Sequence, residues 1–144
     1  MDNEAKKQFI ILLIENDESD VFIFRRALGT AGFDARVRVV GSATEARAYI
    51  ENAPPYADRD YYESPALIVS DFRLSGHTAM EFVRWLRSSP FANIRIVIMS
   101  GAATPSQHEQ LSELGASGFV GKTGDVSSLA ITLRKVLPKA MGEV

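Results

Sequence analysis

No cysteine occurs in the 144 residues, which excludes a disulfide framework and a thiolate metal site and suits a reducing compartment. Charge of a single sign is missing too. Sixteen Lys and Arg residues stand against eighteen Asp and Glu, a net charge of −2, so basic pairs such as Arg25-Arg26 read as solvated faces and no nucleic-acid partner is expected. No apolar run approaches a membrane span: the first, Phe9 to Ile14, is cut short by Glu15, and the N-terminal stretch carries no signal-type cleavage site. The two histidines, His77 and His108, are isolated from one another and from acids at metal-binding spacing, which leaves them surface or helix-cap roles. There is no internal repeat and no low-complexity tract. The expectation is a soluble, cytoplasmic, single-domain protein over residues 1–144, with a core at about 9–137 and short tails.

The chain alternates two kinds of hydrophobic pattern. Phe9 to Ile14, Leu67 to Val69, Ile94 to Met99 and Phe119-Val120 are continuous apolar runs of strand length, the signature of strands buried on both faces. Between them, Val21, Phe24 and Leu28, then Phe82, Trp85 and Leu86, then Leu129, Leu133 and Val136 recur at helical spacing. Strands alternating with helices predict a parallel α/β sheet of five strands and five helices. The second strand, Ala35 to Val40, alternates Arg36 and Arg38 with valines, so it has one wet face and belongs at an edge.

Helix ends are marked independently. Ser42 with Glu45 and Thr78 with Glu81 read as capping boxes; Asp17, Asp125 and Thr104, the last followed by Pro105, read as N-caps. Gly32 and Gly115 read as left-handed stops, and Pro138 as the end of the last helix. One segment breaks the rhythm, "NAPPYADRDYYESP" at Asn52 to Pro65, which reads as a surface loop.

In an open parallel sheet, ligands bind beyond the carboxyl ends of the strands. Here the first strand runs into Glu15-Asn16-Asp17, the third into Asp71, the fourth into Ser100 and the fifth into Gly121-Lys122. Acids, a hydroxyl and an amine therefore converge on one edge. Each alone is an ordinary cap or turn residue. Together they suit phosphoryl transfer to a carboxylate: Asp71 as nucleophile, Glu15 helping to hold Mg²⁺, Lys122 offsetting the repulsion between carboxylate and phosphoryl oxygens, and Ser100 donating to the product.

The stretches "IILLIENDESD", "LIVSDFRLSG", "IVIMSGAA" and "GASGFVGK" resemble, in order, the acidic-pair strand, the phosphoacceptor strand, the hydroxyl strand and the lysine strand of bacterial two-component response-regulator receiver domains. The resemblance runs from about Phe9 to Leu137. It implies a flavodoxin-like, doubly wound sheet in the order 2-1-3-4-5 and a stand-alone signalling protein, not an enzyme. It further implies phosphorylation of Asp71 by a histidine kinase, Glu15 in the first acidic position, Lys122 as the family lysine and Ser100 as the switch hydroxyl. Arg73 would lend its backbone carbonyl to Mg²⁺. Phe119 stands where the family has a mobile aromatic, and a plain core phenylalanine is the alternative. The stretch "ENDESDVFIFRRAL" and the long loop resemble single-domain receivers that serve phytochrome-type kinases, which implies output through protein contacts, including a homodimer through the fourth helix, fifth strand and fifth helix.

Four positions depart from the family pattern. Asn16 replaces the second acid and offers the metal an amide oxygen without charge. A unit charge at ~4 Å under an effective dielectric of ~20 is worth about 4 kcal/mol, and about twice that against a divalent ion. Weaker Mg²⁺ binding is the expected consequence, and a phosphorylation-independent protein-binding module is the alternative function. Thr123 replaces a proline after Lys122, so that bond is either trans or strained. Ser75 and Ala79 replace a proline and a glycine, which alters loop mobility more than chemistry. A flavodoxin-like redox enzyme shares the fold class but would need a phosphate-cradling loop after the first strand, which this chain lacks.

Overall fold

The computed structural model describes residues 9–101 and 103–142. The expected N-terminal tail, the Ala102 of the "SGAA" stretch and the last two residues lie outside the described residues. Strand β1 (Phe9–Ile14) occupies the second place in a five-stranded sheet. It pairs in parallel with β2 (Ala35–Val40) on one side and β3 (Leu67–Asp71) on the other. Beyond β3 follow β6 (Arg95–Ser100) and β7 (Gly118–Gly121), also parallel. The order β2-β1-β3-β6-β7 is the expected 2-1-3-4-5 once a small hairpin, β4 (Arg73–Leu74) and β5 (His77–Thr78), is set apart. That hairpin has no counterpart in the sequence reading, because strands of two residues carry no readable period.

Five helices cover the sheet: α1 (Glu18–Ala31), α2 (Ala43–Ile50), α3 (Ala79–Arg87), α4 (Pro105–Glu113) and α5 (Val126–Ala140). The alternation of side chains along each strand explains the two cores. Ile11, Leu13, Val69 and Val97 pack with Phe24 and Leu28 of α1 and Leu133 and Leu137 of α5. Leu12, Ile14, Ile68, Ile96 and Ile98 pack with Tyr49 of α2, Phe82 and Leu86 of α3 and Leu111 of α4. Both faces are therefore dry, as the unbroken apolar runs require. At β7 the last helix comes close enough that a Cβ on Gly118 would lie 2.9 Å from Val136 Cγ1. No helix among the described residues is long and apolar enough to cross a membrane.

Several helix ends differ from expectation for local reasons. Ser42 accepts from Glu45 N, but the Glu45 carboxylate accepts from the Tyr56 hydroxyl at 3.3 Å instead of closing a box. Thr78 accepts from Met80 N, and Glu81 faces His77 at 3.4 Å. The complete capping box is Thr104 with Gln107, each side chain accepting from the other's backbone N–H. Asp17 and Asp125 cap α1 and α5 as expected, and Gly32 and Gly115 take positive φ. Pro138 does not end α5. The helix runs through it to Ala140 because Leu137 and Ala140 stay packed on the sheet, and the missing N–H falls in the last turn, where one lost bond is tolerated.

The 52–65 segment is more than a surface loop. Tyr62 meets Tyr49 and Tyr56 edge to face at 5.9 and 5.1 Å between ring centroids, and Tyr49 and Tyr56 tilt against each other at 5.3 Å. Arg59 donates to the carbonyls of Tyr62, Tyr49 and Ile50 at 2.7, 3.1 and 2.9 Å. Arg38 of β2 lies over the Tyr61 ring and donates to the Tyr61 carbonyl at 2.7 Å. At the far side of the sheet Arg87 ties the end of α3 to the carbonyls of Ala92, Ile94 and Gly115.

Candidate functional site

All the carboxyl ends of the central strands open on one edge, and four of the expected residues meet there. Glu15 follows β1 and extends its ladder, its N–H bonding Val40 O at 2.9 Å, which fixes the carboxylate at the end of a buried strand; the side chain is only 1% exposed. Asp71 is the last residue of β3 and 14% exposed. Ser100 ends β6, and Lys122 follows β7 with its N–H on Ser100 O at 3.0 Å. Strand ends thus set the backbone positions, and the side chains reach inward from them.

Lys122 Nζ is the centre of the arrangement. It donates to Asp71 Oδ2 at 3.1 Å and lies 2.8 Å from Glu15 Oε2. It also lies 2.8 Å from Asp20 Oδ2, in the first turn of α1. Burial would pull the lysine's pKa down, but the contacts with Asp20, Glu15 and Asp71 outweigh it and raise the value above that of an ordinary lysine. The ammonium stays charged at any physiological pH. The Lys122–Thr123 bond is trans, the cis bond among the described residues joining Pro54 and Pro55. Thr123 folds back on Asp125, accepting from its N–H at 2.9 Å and donating to its carbonyl at 3.1 Å. The absence of proline therefore does not spoil the lysine's aim.

Asp20 was not legible as a site residue. Read along the chain it is one more acid in the first turn of a helix, where the backbone dipole favours acids. Only the fold brings Lys122 to it. A signal existed in retrospect, since Asp20 lies one turn into a helix that starts directly behind Glu15, on the side from which β7 delivers its lysine.

The remaining expected residues stand nearby in different conditions. Asn16 is exposed, with no side-chain hydrogen bond among the described residues. Arg73 is exposed in β4, two residues past Asp71. The Ser100 hydroxyl oxygen accepts from Ala103 N at 2.7 Å. Phe119 is half-buried, packed against the core beneath α4 and stacked on His108 of that helix, with centroids 4.5 Å apart and planes 19° apart. That makes it neither a plain core side chain nor a free one. Trp85 packs on Phe82 under Arg47, between α2 and α3 and away from the acids.

The oxygen-rich set suits a hard divalent cation. Glu15 Oε2 is buried, and its close partner among the described residues is the Lys122 ammonium at 2.8 Å, a contact held chiefly by charge. Among the described residues no three acidic or imidazole side chains gather tightly enough to hold a metal by themselves. A cation here would thus take two carboxylates, Glu15 and Asp71, and complete its shell with amide, carbonyl and water oxygens, the usual manner of Mg²⁺.

Comparison with known proteins agrees with this geometry. Residues 11–134 match the model of the response regulator receiver domain. No curated protein sequence matches. Among solved structures, the response regulator RPA3017 in red light signaling of R. palustris superposes with a TM-score of 0.83 at 18% identity, over 90% of this chain and 92% of that one. The phosphorylated cyanobacterial phytochrome response regulator RcpA gives 0.78 at 22% identity, over 91% and 92%. The Mn(2+)-bound form of response regulator Rcp1 gives 0.77 at 18% identity, over 94% and 96%. The chain belongs to the response regulator receiver domain family.

Proposed function

We propose that the protein is a receiver whose Asp71 accepts a phosphoryl group from the phosphohistidine of a histidine kinase. The observation that carries this reading is the contact of a partly exposed strand-end carboxylate with a fixed ammonium, Asp71 Oδ2 to Lys122 Nζ at 3.1 Å, beside the hydroxyl strand β6. An Asp71 oxygen attacks phosphorus, the P–N bond breaks, and the histidine nitrogen leaves with the electron pair. Lys122 then pairs with a phosphoryl oxygen, stabilising the charge that the acid alone would repel. The Ser100 hydroxyl takes another phosphoryl oxygen, and because Ser100 also holds Ala103 N, its movement draws the start of α4 with it. Phe119 follows when its stack with His108 opens.

Mg²⁺ would supply positive charge that offsets the repulsion between the acceptor carboxylate and the phosphoryl group. Glu15, Asp71, the Asn16 amide oxygen and the Arg73 backbone carbonyl are the groups that would hold it. The likeness to red-light and phytochrome response regulators supports a phytochrome-type kinase as donor. Output is through protein contacts, including pairing of two copies across α4, β7 and α5, which sedimentation of the phosphorylated and free forms would detect.

The test is intact mass after incubation with acetyl phosphate, and the response to beryllofluoride, with and without Mg²⁺. The expected result is a Mg²⁺-dependent phosphoryl adduct that is lost in Asp71→Asn. A folded wild-type protein that takes up neither reagent would instead establish the phosphorylation-independent binding module that Asn16 favours.

A further inference from the structure

Three carboxylates surround one ammonium at this edge, and they are not equivalent. Glu15 is almost fully buried and Asp71 mostly so, while the Asp20 side chain is 30% exposed. Asp20 is also the acid anchored outside the sheet: its backbone N–H donates to the Asp17 N-cap at 3.1 Å, which fixes its place on the first turn of α1. With Lys122 charged, the cluster carries a net of two negative charges. The family position that would ordinarily bring an acid, Asn16, brings none.

We propose that Asp20 is a positioning residue that takes the Lys122 ammonium when a divalent cation enters between Glu15 and Asp71, and that it supplies the negative charge position 16 lacks. This inference rests on the phosphoacceptor reading of the same site. A cation on Glu15 and Asp71 repels the ammonium that now touches both. The lysine needs an acid the cation does not use, within reach of its flexible stem and already at 2.8 Å, and Asp20 is that acid. Without Asp20 the ammonium either stays on the cation's two carboxylates and competes for them or moves into water unpaired. Competition and loss of charge act in the same direction, so both weaken cation binding.

Binding of Mn²⁺ alone to the full chain, with the free ion counted by electron paramagnetic resonance at fixed ionic strength, tests this without reference to phosphorylation. In Asp20→Asn the affinity is expected to fall at least about tenfold. Adding Asn16→Asp to that variant is expected to bring the affinity back to the wild-type level or above, which a general disturbance of the fold by Asp20→Asn would not allow. Asp20→Asn binding within about twofold of wild type would overturn the proposal. So would failure of Asn16→Asp to restore affinity in a double variant that unfolds at the wild-type temperature. Asp71→Asn separates the two levels: binding lost there but kept in Asp20→Asn sinks the role of Asp20 alone. Binding unchanged in Asp71→Asn places the cation elsewhere and sinks the site reading together with it.

Discussion

Two regions of the molecule concentrate charged and polar side chains, and they use them in opposite ways. Around the 52–65 segment the closest contacts of the partly buried cations are neutral, Arg59 to three backbone carbonyls and Arg38 to a carbonyl and a tyrosine face, and the Tyr49 hydroxyl donates to Glu63 O. The Glu63 carboxylate pairs at the exposed rim with Arg36 at 3.2 Å and lies 3.8 Å from Arg38. At the carboxyl edge Lys122 is held almost wholly by other charges. A backbone carbonyl is neutral and cannot be phosphorylated, whereas a carboxylate brings a full charge that phosphorylation or a metal can engage. The first arrangement fixes a shape, and the second can be rearranged by chemistry.

The sharpest way to break this comparison is Lys122→Met. Loss of charge stabilisation at the phosphoryl group is expected to slow labelling by acetyl phosphate by about 10²-fold or more, a far larger effect than any change in stability. Stability carries its own signature. The folded state holds the lysine's proton more tightly than the unfolded state, so the lysine's contribution is complete below its ordinary pKa and is lost as pH rises through the higher folded value. Urea midpoints should therefore show the gap between wild type and Lys122→Met constant near neutrality and closing only in strong alkali; a gap already closed once the pH has been raised to 8 would contradict it.

Arg59→Ala should do the reverse. Three partly buried carbonyls lose their donor, which is expected to cost about 2–3 kcal/mol, read from denaturant unfolding, while labelling of Asp71 keeps its wild-type rate. A labelling defect as large as the stability defect would erase the distinction between the two regions. Thr104→Ala removes one half of a closed capping box at α4 and is expected to cost about 1 kcal/mol, with Ser42→Ala, whose box is open, costing less in the same assay. The smallest effect belongs to Tyr61→Leu. The ring is exposed and the Arg38 contact with its face is worth about 0.5–1 kcal/mol, so the melting temperature should barely move.

How far the sequence disclosed these regions depends on what kind of pattern each one leaves. β1, β3 and β6 are legible because strands buried on both faces must be apolar without interruption, and β2 because an edge strand with a wet face must alternate. Glu15, Asp71, Ser100 and Lys122 are legible because each sits where such a run stops. Asp20 is not, since its partner arrives from the far end of the chain and nothing in the first turn of a helix distinguishes a site acid from a surface one. The tyrosine-arginine packing of the long loop is hidden for the same reason: prolines and tyrosines announce a break in regular structure but not the side chains that will close over it. Pro138 misleads because local propensity leaves out the packing of Leu137 and Ala140 that overrides it.

The stack of Phe119 on His108 has a spectroscopic consequence. Protons of an imidazole stacked 4.5 Å from a nearly parallel phenyl ring lie in the shielding cone of its ring current, so the His108 resonances are displaced upfield. His77, exposed on the hairpin beside Glu81, has no ring above it and serves as the reference. Two imidazole signals in one proton spectrum thus report, without any label, whether the aromatic behind Lys122 is in place.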